Sequence, residues 1–221
     1  MTETLEQALE GPWLPALTLT PPWSWLVWRR WKRNETRGWH RPDLVGRWLA
    51  IHSAVSLEPV GGRRGLAALC AQEPFRSALG GSEIGQLPVG AVVALARIWA
   101  MHPTAQGWDA QGRPCAAYVQ TTGAGLEHFE RVVPVLGDEA AFGDYSPGRW
   151  VWEFDEILPL AEPIAVRGHQ KIWHWWLGAA DLAQLRKVAK ERQEELQARH
   201  EHDLHSVDEW ERQEGFPGDR G

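Results

Sequence analysis

The stretch Lys32-Arg33-Asn34-Glu35-Thr36-Arg37 sets an ammonium, a carboxylate and a guanidinium within a few residues of one another. If a strand begins near Glu35, side chains alternate so that Glu35 and Arg37 share one face while Thr36 takes the other. Lys32 then arrives from the end of a preceding helix. Charges drawn together away from water must be paired or liganded. The cluster therefore reads either as a structural ion network or as a pocket for a polar ligand. Two kinds of turnover fit its chemistry. Glu35 would act as a general base toward water while Lys32 steadies an oxyanion, or Lys32 and His52 would handle phosphate charge and protons in a ribonuclease. Binding without turnover is the third reading.

Other residue types extend the candidate site. The chain has 15 tryptophans, dense over 23–48 and again over 150–176. Most are read as core packing, with one or two left to stack on a base as in single-strand binders. The turn-rich segment Phe142–Arg149 is read either as a lid offering Tyr145 and Arg149 to a ligand, or as a loop whose Gly and Pro set its turns. His200, His202 and His205 have a spacing compatible with a metal, but histidines on a charged helix are ordinarily solvated. No metal and no cofactor is expected.

The elements that must position these residues follow from periodicity. Residues 1–15 read as a poorly tied lead-in. A short strand over 17–20 leads to a helix over 23–31, opened by Pro21-Pro22. Strands follow over 35–39 and 46–53, and a helix over 62–79. The nearly all-apolar run 91–99 reads as a central strand. Residues 102–125, rich in Gly, Pro, Gln and Thr, read as an excursion or lid. The last strands fall over 149–154 and 171–175, with Pro159 and Pro163 breaking the chain between them. Beyond residue 178, Leu182, Leu185 and Val188 recur at helical spacing in a long, charged helix or helix pair. That stripe offers a homodimer contact.

Thr18-Leu19-Thr20-Pro21-Pro22-Trp23-Ser24-Trp25-Leu26, then Lys32-x-x-Glu35-x-Arg37, then Gly46-Arg47-Trp48-Leu49-Ala50-Ile51-His52-Ser53 resemble the ASCH domain family, of the PUA-like barrel superfamily. Residues 87–93 and 159–173 fit the same order, so the resemblance covers residues 16–177. It implies an α+β fold: a small mixed β-barrel with flanking helices, here with a charged helical extension over 178–221. It also implies a cleft beside the first helix for RNA, other single-stranded nucleic acid or a modified nucleoside. Lys32, Glu35 and Arg37 would line that cleft, with Trp23 near it and His52 on the following strand. There are departures. Pro21 stands where the family often has Gln, and Arg30 stands where Gly is usual. Some small members hydrolyse N4-acetylcytidine through Lys-x-x-Thr and a distant Glu. Here Lys32 matches the lysine, but Glu35 occupies the threonine slot and Thr36 should face away.

Composition bounds the class. The net charge of −6 argues against unspecific nucleic-acid binding over the whole surface. Between residues 28 and 47, however, seven Lys and Arg stand against Glu35 and Asp43, a local net of +5, whereas residues 179–221 carry a net of −4. This asymmetry suggests a basic working face and an acidic tail, the tail being also a possible adaptor surface. With Cys70 and Cys115 alone, no disulfide framework is available. The N-terminus lacks the pattern of a signal peptide and no apolar run spans a bilayer. A cytoplasmic protein with no membrane partner is expected.

Overall fold

The computed structural model of the chain describes residues 2–80, 84–122 and 129–213, with side chains at 121, 122, 129 and 200–213 left aside. Numbered in chain order, the strands are β1 (Trp13–Leu19), β2 (Asn34–Arg37), β3 (Trp48–Ser53), β4 (Ala91–Trp108), β5 (Pro114–Thr122), β6 (Phe129–Pro134), β7 (Trp150–Ala165) and β8 (Ile172–Trp176). The α-helices are α1 (Leu5–Ala8), α2 (Trp23–Trp28), α3 (Gly62–Cys70), α4 (Phe75–Leu79) and α5 (Ala179–Gln213). The fold is α+β, with a mixed eight-stranded sheet and few helices.

The apolar sequence of β3 and of the first part of β4 decides where the core lies. All of β3 and residues 91–96 of β4 are buried, as expected of strands covered on both faces. The main path runs β2-β7-β4-β3-β1-β8, with β5 joined to the outer half of β4 and β6 to β5. Among the described residues only β1 and β3 pair in parallel. Val27 of α2 packs with Leu19, Ile51, Val93, Trp152 and Phe154 in the central cluster. Trp25 and Leu26 join Leu66, Phe75 and Phe142 in a second cluster over α3 and α4.

The sheet is not closed into a barrel. Among the described residues no ladder joins β2 to β8, the two ends of the path. β2 is only four residues long, and β8 accompanies β1 only as far as Leu17. Thr18 and Leu19 therefore run past β8. Across from them, Arg37 Nη2 donates to the Thr18 carbonyl at 3.3 Å. A side chain spans the space that a closing ladder would fill.

Several elements differ from their sequence expectation. The lead-in is tied down: Thr4 and Gln7 form a capping box on α1, Leu5, Leu9 and Leu14 are buried, and Glu3 accepts from the Trp48 amide. α2 stops at Trp28 because Arg30 turns to φ 62°, so that the Trp31 and Lys32 amides both reach the Leu26 carbonyl. The expected helix over 62–79 is two helices, parted just before Pro74, which has no amide to continue a ladder. The expected excursion after residue 102 is instead β4 running on to Trp108 and pairing with β5. β7 likewise runs through Pro159 and Pro163. Beyond Glu153 no strand among the described residues flanks β7 on its β2 side, so a proline there can lie where no ladder needs its N–H.

The chain divides after Leu177 into two compact units. The described part of the second holds one helix, α5, whose first turn is capped by Asp181 accepting from the Gly178 amide at 3.2 Å. Pairs such as Lys187–Glu191 and Lys190–Glu194, at 3.8 and 3.6 Å, line its exposed face; such pairs contribute little individually. His200, His202 and His205 lie where side chains are not described, and the terminal residues 214–221 lie outside the described residues. Among the described residues no helix is long and apolar enough to cross a membrane.

Candidate functional site: a cavity at the open side of the sheet

β2 carries Glu35 and Arg37 on one face, and the turn after α2 delivers Lys32 beside them. Lys32 Nζ lies 3.5 Å from Glu35 Oε2, and Arg37 Nε lies 2.9 Å from Glu35 Oε1. Lys32 is 1% exposed. Its ammonium also donates to the Phe142 carbonyl at 2.8 Å and to the Asn34 carbonyl. An ammonium has three protons to give; two go to these carbonyls, and the charge also faces the Glu35 carboxylate. Lys32 thereby ties the loop before β7 to the start of β2.

A half-buried carboxylate completes that tie. Glu139 accepts from the Arg33 and Asn34 amides at 2.8 and 3.0 Å. Burial raises its pKa above the ordinary carboxylate value, against the pull of nearby Lys32 and of those two amides. Thr36 faces the other side of β2, and its hydroxyl accepts from the Asp144 amide at 3.0 Å. Gly143 sits so close that a Cβ there would come within 2.8 Å of the Tyr145 ring and 3.1 Å of the Thr36 methyl. Glycine is what lets this loop lie flat on β2.

Between these groups lies a cavity of about 380 Å³, lined by Trp23, Lys32, Glu35, Arg37 and Arg149 together with Thr18, Leu19, Thr20, Thr36 and residues 141–144. Arg149 Nη2 donates to the Thr36 carbonyl at 3.1 Å, and Nη1 stands 3.3 Å from Asp144. The Arg149 Nε is buried without an aligned acceptor, whereas the Arg37 Nε faces the Glu35 carboxylate. A buried donor left unmade is costly, so this wall suits a ligand rich in acceptors.

Not every expected residue lines this cavity. Tyr145 packs its ring with Tyr118, Val135 and Val151, and burial raises the pKa of its hydroxyl. It acts as a wedge behind the loop. His52 lines a separate, neighbouring cavity, with its Nε2 3.1 Å from the Val166 carbonyl. A carbonyl only accepts, so Nε2 carries the proton and the buried Nδ1 keeps an unpartnered lone pair. Desolvation chiefly lowers the His52 pKa. Glu139 and the Phe142 carbonyl were missed by sequence reasoning, because their contacts with 32–34 span more than a hundred residues and leave no local pattern. No metal-type cluster of His, Cys, Asp or Glu occurs among the described residues. No family model matches this chain, and no curated protein does.

Proposed function

We propose that the chain is a binding module for a nucleoside-type ligand, in keeping with the resemblance to the ASCH family and its PUA-like barrel. One observation carries the reading: a cavity of about 380 Å³ gathers an indole, a carboxylate and two guanidiniums, while its lysine is held by two backbone carbonyls and Glu35. The volume lies in the range of small-ligand sites. Trp23 offers a stacking face. Arg37 and Arg149 supply donors for acceptor edges or phosphate. Glu35 accepts from an exocyclic amine through lone pairs not directed at Lys32 and Arg37.

The same arrangement disfavours turnover. An oxyanion at Lys32 would have to compete with the two carbonyls that the ammonium already donates to and with the Glu35 carboxylate 3.5 Å away. Lys32 and His52 line different cavities, which does not favour the ribonuclease reading. Cys70 and Cys115 are unpaired thiols, which suits a cytoplasmic setting.

The test is a calorimetric panel of cytidine, N4-acetylcytidine, uridine, adenosine and guanosine, with mass spectrometry of the recovered nucleoside. At least one should bind and return unchanged. Arg37→Ala should weaken that binding by about 1–3 kcal/mol, the scale of a charge-assisted hydrogen bond. Glu35→Gln should alter which base is preferred. The reading fails if no nucleoside binds the parent, or if Arg37→Ala binds as the parent does.

A further inference from the structure

The neighbouring cavity is larger, about 1160 Å³, and shares Thr18, Thr20 and Arg37 with the first. Arg37 therefore stands at the boundary of both. The outer wall of this second space is the segment 166–171, which joins β7 to β8. Three contacts hold it in place. The Val166 amide donates to the Gly90 carbonyl at 3.1 Å, and the Val166 carbonyl accepts from His52 Nε2. Gly168 lies so close over His52 that a Cβ would fall 2.2 Å from Cε1 and 2.4 Å from Nδ1.

Fixed in this way, the segment presents Arg167, His169 and Lys171 to the cavity. Arg167 and Lys171 are exposed and make no ion pair and no side-chain hydrogen bond among the described residues. Among the described residues Glu58 is the only carboxylate on the wall. Lys171 adopts φ 60°, a left-handed conformation that is unfavourable for a residue with a Cβ. Such strain persists where the surroundings impose it. The second cavity thus sets three cations, Arg37, Arg167 and Lys171, around a space wider than a single nucleoside needs.

We propose that the second cavity holds the phosphodiester backbone that continues from a base in the first, so that the ligand is single-stranded nucleic acid rather than a free nucleoside. This rests on the first cavity being the base site. Arg37 is the hinge of the arrangement, reaching the base on one side and the adjoining phosphate on the other. Arg167 and Lys171 meet the phosphate charge beyond it.

The test compares the parent chain with the double variant Arg167→Ala, Lys171→Gly. Glycine suits the left-handed position, so the variant should keep its fold, as a thermal melt will report. Binding of free cytidine, uridine and adenosine is measured by calorimetry, and binding of labelled RNA decamers of the same bases by anisotropy over a range of salt. The parent should bind the best decamer at least tenfold tighter than the matching nucleoside. The double variant should bind the nucleoside as the parent does and the decamer about tenfold more weakly. Its salt dependence should be shallower by about 0.7 in logarithmic slope for each phosphate it no longer neutralises. The proposal is overturned if the parent gains nothing from the decamer, if the variant keeps the parent's decamer affinity and slope, or if a deca-glutamate peptide binds as tightly as RNA. In each of those cases nucleoside binding survives and the base site stands. If neither nucleosides nor decamers bind the parent, the base site falls and the proposal falls with it.

Discussion

The two cavities that meet at Arg37 treat their charges in opposite ways. In the first, Lys32 is buried and partnered by Glu35 and by the Asn34 and Phe142 carbonyls. In the second, Arg167 and Lys171 are exposed and unpaired among the described residues, on a segment whose backbone is held by His52 and Gly90. The difference follows from solvation. A charge taken from water must be met within the protein, whereas a rim charge can keep its hydration until a ligand replaces it. Lys32 therefore builds the site, and the rim cations are free to contact what enters it.

Three changes test this contrast, beginning with the largest effect. Lys32→Met should lower unfolding free energy by roughly 3–5 kcal/mol, the cost of breaking a buried ion pair and stranding its acceptors. Arg167→Ala should change stability little, since surface substitutions usually stay within about 0.5 kcal/mol. Denaturant titration of both variants compares them directly, and similar losses would erase the distinction between a building charge and a contacting one. Next in size, Gly168→Ala should destabilise by about 1–3 kcal/mol, because its methyl would have to share the space of the His52 ring. Nucleoside binding in the first cavity should survive that change.

The smallest effect is expected from pH. The pKa of His52 is lowered from 6.5, mainly by burial, so the folded chain favours the neutral ring. The stability this contributes is present above the unfolded pKa and is lost as pH falls through that value toward the folded pKa. Relative to His52→Gln, the parent should therefore lose stability between about pH 7 and pH 5. Melting temperatures of the two proteins across that interval give the answer, and parallel curves would mean that the ring titrates as it does in water.

The charged cluster was legible because it is local. Glu35 and Arg37 alternate on one short strand, and Lys32 precedes them by a single turn, so period and spacing alone predict their meeting. The same locality made 91–99 recognisable as a strand. What lay beyond reach came from distant segments. Tyr145 and Arg149 occur in one turn-rich stretch, yet only Arg149 lines the cavity, while Tyr145 turns back onto Tyr118 and Val151. Proline and glycine misled over 102–122 and 155–165, because their effect on a strand depends on which edge has a neighbour.

Taken alone, the sequence determined the elements whose burial is written into their own pattern: the apolar β3 and early β4, the charged helix after residue 178, and a Lys-Glu-Arg cluster that had to find partners. Tertiary structure decided the partners. It left the sheet open between β2 and β8, set Arg37 across that opening to the Thr18 carbonyl, and folded the loop from residue 137 back to cap Lys32. Alternation and helical period act over a few residues and are set by backbone geometry. Which carbonyl satisfies a buried ammonium depends on chain segments that meet only once the core has formed.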